Sequence, residues 1–468
     1  MLNPATEEFE DKLRALLPEA AFKPDAAGYF TESRGRWTGH GLVVAPSTTE
    51  EVSRVVKACN EARIGIVPYG GGTGLVGGQI LQDGPKPVVL SLERMAKIRD
   101  VFRSEDTMVV EAGAILANIQ AEATRIGRLF PLSLASEGSA RIGGLLSTNA
   151  GGLNVLRYGN ARAQCLGLEV VLPDGSVWNG LSRLHKDNTG YDLRNLMIGA
   201  EGTLGVITAA SLKLSPQPAS VGSAMLSVRD PEAALELLAL AKEQLAEGIS
   251  AFELMHRQGF DFLDEVGPEY RAPFEQTPEW SVLIDVGLPN GLQADEALLD
   301  VFEGAMEAGL VSDGVIAQSD AQRDAFWFIR ENIPEANRRI GSISSHDISV
   351  PISAVPEFIQ IGPKRLSEIG EFRINCFGHL GDGNLHYNVF PPIGLSRDDF
   401  LAERDQIKTV IHDLAHEFGG SVSAEHGVGR LKVGDLEKYA DPAKLKMMRA
   451  IKQALDPKGI MNPGAVLR

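Results

Sequence analysis

Three glycine-rich stretches between Gly70 and Thr208 constrain this chain more than any other feature. PYGGGTGLVGG carries Gly70, Gly71, Gly72, Gly74 and Gly78, ARIGGLLSTNAGG carries Gly143, Gly144, Gly151 and Gly152, and GAEGTLGVIT runs from Gly199 to Thr208. A residue without a Cβ lets backbone approach a ligand closely and leaves N–H groups free to face an anion. The 50 glycines in 468 residues exceed the usual share of about 7%, and they are clustered. Apolar residues such as Leu75, Ile142 and Leu145 are interleaved, which loose surface loops would not need. Three such stretches in one region imply one long ligand lying across several loops. Neither common phosphate fingerprint is present: the first stretch lacks the GK[ST] ending, and its strand is not followed by a helix opening on G-x-G-x-x-G.

A second kind of chemistry sits in GHLGDGNLHYN, where His379 and His386 are seven residues apart. In a continuous strand, residues an odd number apart point to opposite faces. The turn signal Asp382-Gly383-Asn384, flanked by RINCF and LHYNVF, predicts a hairpin that returns both imidazoles to one face. SAEHGVG adds Glu425 and His426. His379, His386 and Glu425 are a three-ligand set for zinc or another divalent ion such as manganese. A missing fourth protein ligand leaves room for substrate, so the site would be catalytic.

The length exceeds the roughly 250–300 residues at which single cores stop growing, so two or more domains are expected. A formal charge of −17 argues against nucleic acid or anionic membrane as partner and favours small-molecule business. No stretch approaches the length of a membrane span. The start, MLNPATEEFEDKL, lacks the basic and then apolar regions of a secretory signal, and three scattered cysteines make no disulfide framework. These features point to a reducing, cytoplasmic compartment. After Pro216 the texture changes to a β-α-β sequence used twice, from VGSAMLSV to GVIAQS, which predicts an antiparallel sheet covered by helices. The expected division is a helical segment over 1–35, a ligand domain over 36–216, a cap domain with the metal site over 217–420 and a returning segment over 421–468.

PYGGGTGLVGG, SEGSARIGGLLSTNAGGLNVLRYGNARAQCLGLEVVLPDG, DNTGYDLRNLMIGAEGTLGVIT and DPKGIMNPG together resemble the vanillyl-alcohol oxidase and p-cresol methylhydroxylase superfamily. GHLGDGNLH and SAEHGVGRLK are similar to its branch of D-2-hydroxyglutarate dehydrogenases, D-lactate dehydrogenases and glycolate oxidase FAD subunits. The resemblance spans Trp37 to Leu467. It implies an α+β fold with a two-part FAD-binding domain and a cap domain that binds substrate. It implies that Gly70, Gly71, Gly72, Thr73, Gly74 and Leu75 wrap the FAD diphosphate, with Pro68 and Gly78 also at the cofactor. Ser133, Ser136, Gly138, Gly143, Gly144, Thr148, Asn149, Gly151 and Gly152 would follow the flavin, Gly202, Val206 and Ile207 the adenine side, and Asn462 the flavin again. The first loop has no histidine or cysteine, so attachment is expected to be non-covalent.

The implied activity is dehydrogenation of a D-2-hydroxy acid, with hydride passing to flavin N5 and His426 as the base. Arg330 in FWFIREN matches the family's substrate-carboxylate arginine, and Asn388 is a further substrate contact. The family's threonine and lysine for a distal carboxylate fall here on Pro334 and Ser345, which leaves 2-hydroxyglutarate, lactate and malate open; Arg338 or Arg339 would have to substitute. Electron-transfer flavoprotein or a quinone is the expected acceptor, and a homodimer the expected assembly. An electron-relay subunit of a glycolate-oxidase-like complex is the alternative reading. His346 is as readily structural as part of the pocket, and His412 and His416 read as a surface pair.

Overall fold

The computed structural model describes residues 1–468, which divide into two compact units. The first consists of Met1–Gly152, Gly159–Gln217 and Glu425–Arg468, and the second of Leu153–Tyr158 and Pro218–Ala424. No helix is long and apolar enough to cross a membrane.

The first unit holds ten strands: β1 (Leu42–Val44), β2 (Ile66–Tyr69), β3 (Val88–Ser91), β4 (Ile98–Phe102), β5 (Thr107–Glu111), β6 (Arg128–Leu129), β7 (Cys165–Val171), β8 (Val177–Gly180), β9 (Val206–Lys213) and β10 (Ser215–Pro216). The first three make a parallel sheet in the order β1-β3-β2, and an antiparallel sheet runs β4-β5-β9-β7-β8. The parallel strands are joined by Thr49–Ala62, a helix that starts where the Thr48 side chain accepts from Glu51 N. Its Val52, Val55, Val56 and Cys59 recur at helical spacing and are all buried, so one stripe faces the core. Residues 1–35 send Phe9, Leu13, Leu17, Ala21 and Phe22 into that same core.

The second unit is one antiparallel sheet of seven strands: β11 (Ser220–Val228), β12 (Ile249–His256), β13 (Trp280–Leu288), β14 (Val311–Ile316), β15 (Ser344–Ser349), β16 (Arg373–His379) and β17 (Asn384–Phe390). Their order is β14-β11-β13-β12-β16-β17-β15. Helices Pro231–Leu245 and Ala294–Glu307 join β11 to β12 and β13 to β14, giving the twice-used unit that the sequence pattern predicts. One face of the sheet packs Phe252, Leu254, Ile284 and Leu385 against helices, and the other packs Met225, Met255, Leu283 and Phe377 against helices Arg257–Val266 and Asp320–Ile340.

Register decides what else lies on that second face. Residues directly opposite each other on neighbouring strands share a face. Glu253 pairs with His379, His379 with Asn384 and Asn384 with Ser349; Phe377 pairs with His386 and His386 with Asp347; Asn375 pairs with Asn388 and Asn388 with Ser345. A two-residue period thus places three polar rows among the apolar residues of the same face.

Candidate active site

In the first unit the glycine stretches line one open cleft. Of the residues expected at a cofactor, Pro68, Gly70, Gly71, Gly72, Thr73, Gly74, Gly78, Gly143, Gly144, Thr148, Gly202, Val206, Ile207 and Asn462 line it, and so does His426. Leu75, Ser133, Ser136, Gly138, Asn149, Gly151 and Gly152 lie outside its wall. The first two stretches meet glycine to glycine: a Cβ on Gly70 would stand 3.4 Å from the Cα of Gly144. Gly152 has φ +111°, and a Cβ there would come within 1.9 Å of the Ser133 carbonyl oxygen, so no other residue fits.

The wall near Gly78 is held by a polar clamp. Arg430 donates through one Nη to the carbonyls of Gly77 and Gly78 at 2.9 and 2.8 Å, and through the other to Asn462 Oδ1 at 2.7 Å. Asn462 Nδ2 donates to the carbonyls of Gly78 and Glu201 at 3.0 and 2.8 Å. The buried Glu201 carboxylate accepts from Val428 N at 2.7 Å and Gly429 N at 2.8 Å. Burial pushes its carboxyl up despite those amides, and it lowers the Arg430 guanidinium to about 10. Just before this segment, Glu425 accepts from Gly152 N at 2.9 Å. Arg430 and Glu201 escape sequence reasoning, since each reads there as an ordinary charge beside a glycine.

In the second unit the β16–β17 hairpin forms as predicted, turning through Leu380–Asp382 and Gly383, whose φ is +80°. It brings the His379 and His386 rings to 5.5 Å, edge to face. Around them is a closed circuit of contacts. Glu253 Oε1 bonds His379 Nδ1 at 2.7 Å, and Glu253 Oε2 accepts from Arg330 Nε at 2.8 Å and pairs with an Nη of the same guanidinium at 2.8 Å. The Arg330 guanidinium lies 4.8 Å from the Phe377 ring centroid, and Phe377 lies 5.1 Å from His386. Burial alone would raise the Glu253 carboxyl, but its contacts with His379 and Arg330 hold it at about 2. Two imidazoles on one face, one of them backed by a carboxylate, are a donor set that fits a divalent cation.

Arg330 is 4% exposed and its acid partner is Glu253, not the neighbouring Glu331. Asn388 is buried on the same face, its Nδ2 donating to the His386 carbonyl. The distal-carboxylate positions carry no cation: Ser345 bonds Ser342, Pro334 lies inside helix Asp320–Ile340, and Arg338 and Arg339 both pair with Glu335 on the surface. His412 is not a surface residue; its ring is buried 5.2 Å from that of His346, because Ile411 and Leu414 beside it face the core, while His416 is exposed. The signal for Glu253 was present in the sequence, a lone carboxylate in the apolar strand ISAFELM.

Residues 41–180 match a family model described as a FAD binding domain, and residues 217–466 match one described as the C-terminal domain of FAD linked oxidases. The chain is 37% identical over 457 residues to a D-2-hydroxyglutarate dehydrogenase of Xanthomonas citri pv. viticola, covering 97% of this chain and 95% of that protein. It is 38% identical to a probable mitochondrial D-2-hydroxyglutarate dehydrogenase of Oryza sativa subsp. indica, covering 92% of this chain and 76% of the relative. This chain belongs to the D-2-hydroxyglutarate dehydrogenase branch of the FAD-linked oxidases. Among solved structures, p-cresol methylhydroxylase with substrate bound superposes with TM-score 0.77 at 18% identity, covering 100% of this chain and 98% of that one. An alkyldihydroxyacetonephosphate synthase superposes with TM-score 0.73 at 18% identity, covering 99% and 85%. At that distance the two share the fold alone. Membership makes FAD the cofactor, and the wall of backbone and small side chains around the glycine-lined cleft fits a dinucleotide.

Proposed function

We propose that, within the FAD-dependent oxidation of D-2-hydroxy acids to 2-oxo acids, this chain acts on 2-hydroxyglutarate, malate or lactate with the help of a divalent metal. Zinc or manganese would be held by His379, His386 and Glu425. The observation that carries the reading is the polar face of the second unit, where one buried carboxylate joins Arg330 to His379 and the His386 ring lies beside that of His379. Relatives at 37–38% identity named for D-2-hydroxyglutarate favour that acid, whereas Pro334 and Ser345 favour a shorter one.

FAD, when bound, supplies the acceptor for the hydrogen that leaves C2 with its electron pair. A divalent cation supplies Lewis acidity that lowers the pKa of a hydroxyl bound to it. Arg330, unable to lose its proton, meets the planar substrate carboxylate through hydrogen bonds that set orientation. Asn388 adds a neutral donor beside it. His426, on the wall of the FAD cleft, takes the hydroxyl proton as C2–O becomes a carbonyl; an imidazole titrates near working pH, and a base so placed contributes about 10²–10⁴-fold. Electrons then leave to a separate carrier, electron-transfer flavoprotein or a quinone.

Anaerobic bleaching of the flavin tests this, against the D and L forms of 2-hydroxyglutarate, malate and lactate, before and after chelation. Bleaching by one D-acid, lost on chelation and restored by zinc or manganese, is the expected result. Bleaching that survives chelation sinks the metal, and none with any acid favours the relay-subunit reading.

A further inference from the structure

Glu253 has no part in the chemistry above, yet its carboxylate is completely enclosed between two groups that do. We propose that Glu253 is a positioning residue that couples the substrate-carboxylate site to the cation site. The proposal rests on the reading of His379 as a metal ligand.

An ionised carboxylate only accepts hydrogen bonds, so the 2.7 Å contact places a proton of His379 on Nδ1 and makes Nε2 the nitrogen that would meet a cation. Its other oxygen occupies the Nε side of Arg330, so that a substrate carboxylate is met by the end-on pair of Nη groups. Phe377 fixes the plane of that guanidinium from one side and touches His386 on the other. Movement of Arg330 toward an anion therefore pulls on the same carboxylate that aims His379.

A bland alternative is that Glu253 only ties helix Asp320–Ile340 to the sheet. That helix already has such a tie: Arg323, seven residues before Arg330, bonds Asp285 on β13 at 3.0 and 3.1 Å, and Trp327 Nε1 adds a third contact at 3.3 Å. The hydrogen bonds of Asp285 run to Ser223, Arg323 and Trp327, none of them to a histidine. Burying a second ion pair is costly, and a site whose two charges must be held together is a reason to keep it.

The test uses the FAD-loaded protein, stripped of metal, titrated with zinc by calorimetry and then with oxalate as a planar anion. Glu253→Gln should weaken zinc binding by about 10–100-fold with FAD content unchanged, and should weaken oxalate even at saturating zinc. Arg330→Met should lose oxalate and keep zinc, and Asp285→Asn should change neither. If Glu253→Gln does not fold, the doubly neutral Glu253→Gln/Arg330→Met carries no unpaired buried charge and should show the same zinc loss. Zinc affinity unchanged in the Glu253 variants but abolished by His379→Ala would leave the metal reading standing and reduce Glu253 to a strut. Zinc affinity unchanged in His379→Ala as well would overturn the metal reading and this proposal together.

Discussion

Each unit of this molecule buries a carboxylate at its ligand site, and the two are satisfied in opposite ways. Glu201, in the first unit, accepts from two backbone amides, and burial wins, so its carboxyl is raised. Glu253, in the second, lies between a guanidinium and an imidazole, and those charges win, so its carboxyl is held at about 2. The same contrast runs through the two sites. The FAD cleft is walled largely by backbone and is damaged by adding atoms, whereas the polar sheet face is built from side chains and is damaged by removing them.

His379→Ala gives the sharpest separation of the two. On the proposed metal reading, loss of this ligand removes several kcal/mol of Lewis-acid barrier lowering, so turnover should fall about 10³-fold while FAD stoichiometry stays intact. Turnover near the wild-type rate, or FAD lost in parallel, would break the division between a cofactor unit and a substrate unit. Next come the two arginines of helix Asp320–Ile340. Arg330→Met strands the buried Glu253 and should cost about 3–5 kcal/mol in urea unfolding, together with the affinity for the hydroxy acid. Arg323 is more exposed, with 30% of its side chain open, and Asp285 keeps its bonds to Ser223 and Trp327, so Arg323→Met should cost less, about 1–3 kcal/mol, and leave substrate affinity alone. Equal losses from both would make Arg330 one more anchor. On the backbone side, Gly71→Ala would set a Cβ 2.2 Å from the Ser139 carbonyl oxygen. Overpacking of this kind costs about 1–3 kcal/mol and should appear as weaker FAD retention on gel filtration, with zinc binding unchanged.

The contrast also explains what could be seen in the sequence. Glycine clusters advertise a backbone site, because a close approach such as that of Gly152 to the Ser133 carbonyl leaves no alternative residue type. The hairpin was equally legible, since the odd spacing of His379 and His386 needs a turn between apolar runs. The second-unit sheet followed from its alternating helices and strands. What stayed hidden were partnerships between residues far apart in the chain. Glu253 meets Arg330 on a helix and His379 on a neighbouring strand, joined only by the fold, and Arg430 reaches Gly77 and Gly78 from the far end of the sequence. His412 misled for a related reason: a helical pair four apart tells which face is shared, not whether that face is covered.

The smallest expected effect concerns pH and falls on Glu201. Burial raises its carboxyl above the ordinary 4.5, so the folded state holds the proton more tightly than the unfolded chain does. The stability it contributes is then fully present below about pH 4.5 and is lost as the pH rises through its raised value. Gln at this position has no proton to lose, and whatever the amide swap costs at Val428 and Gly429 does not vary with pH. The melting temperature of the wild type relative to Glu201→Gln should therefore be highest at acid pH and shrink toward neutrality. A difference that stays flat, or that grows as the pH rises, would mean that the two amides outweigh burial. Glu201 would then be a satisfied anion like Glu253, and the contrast between a backbone-held and a charge-held carboxylate would fail.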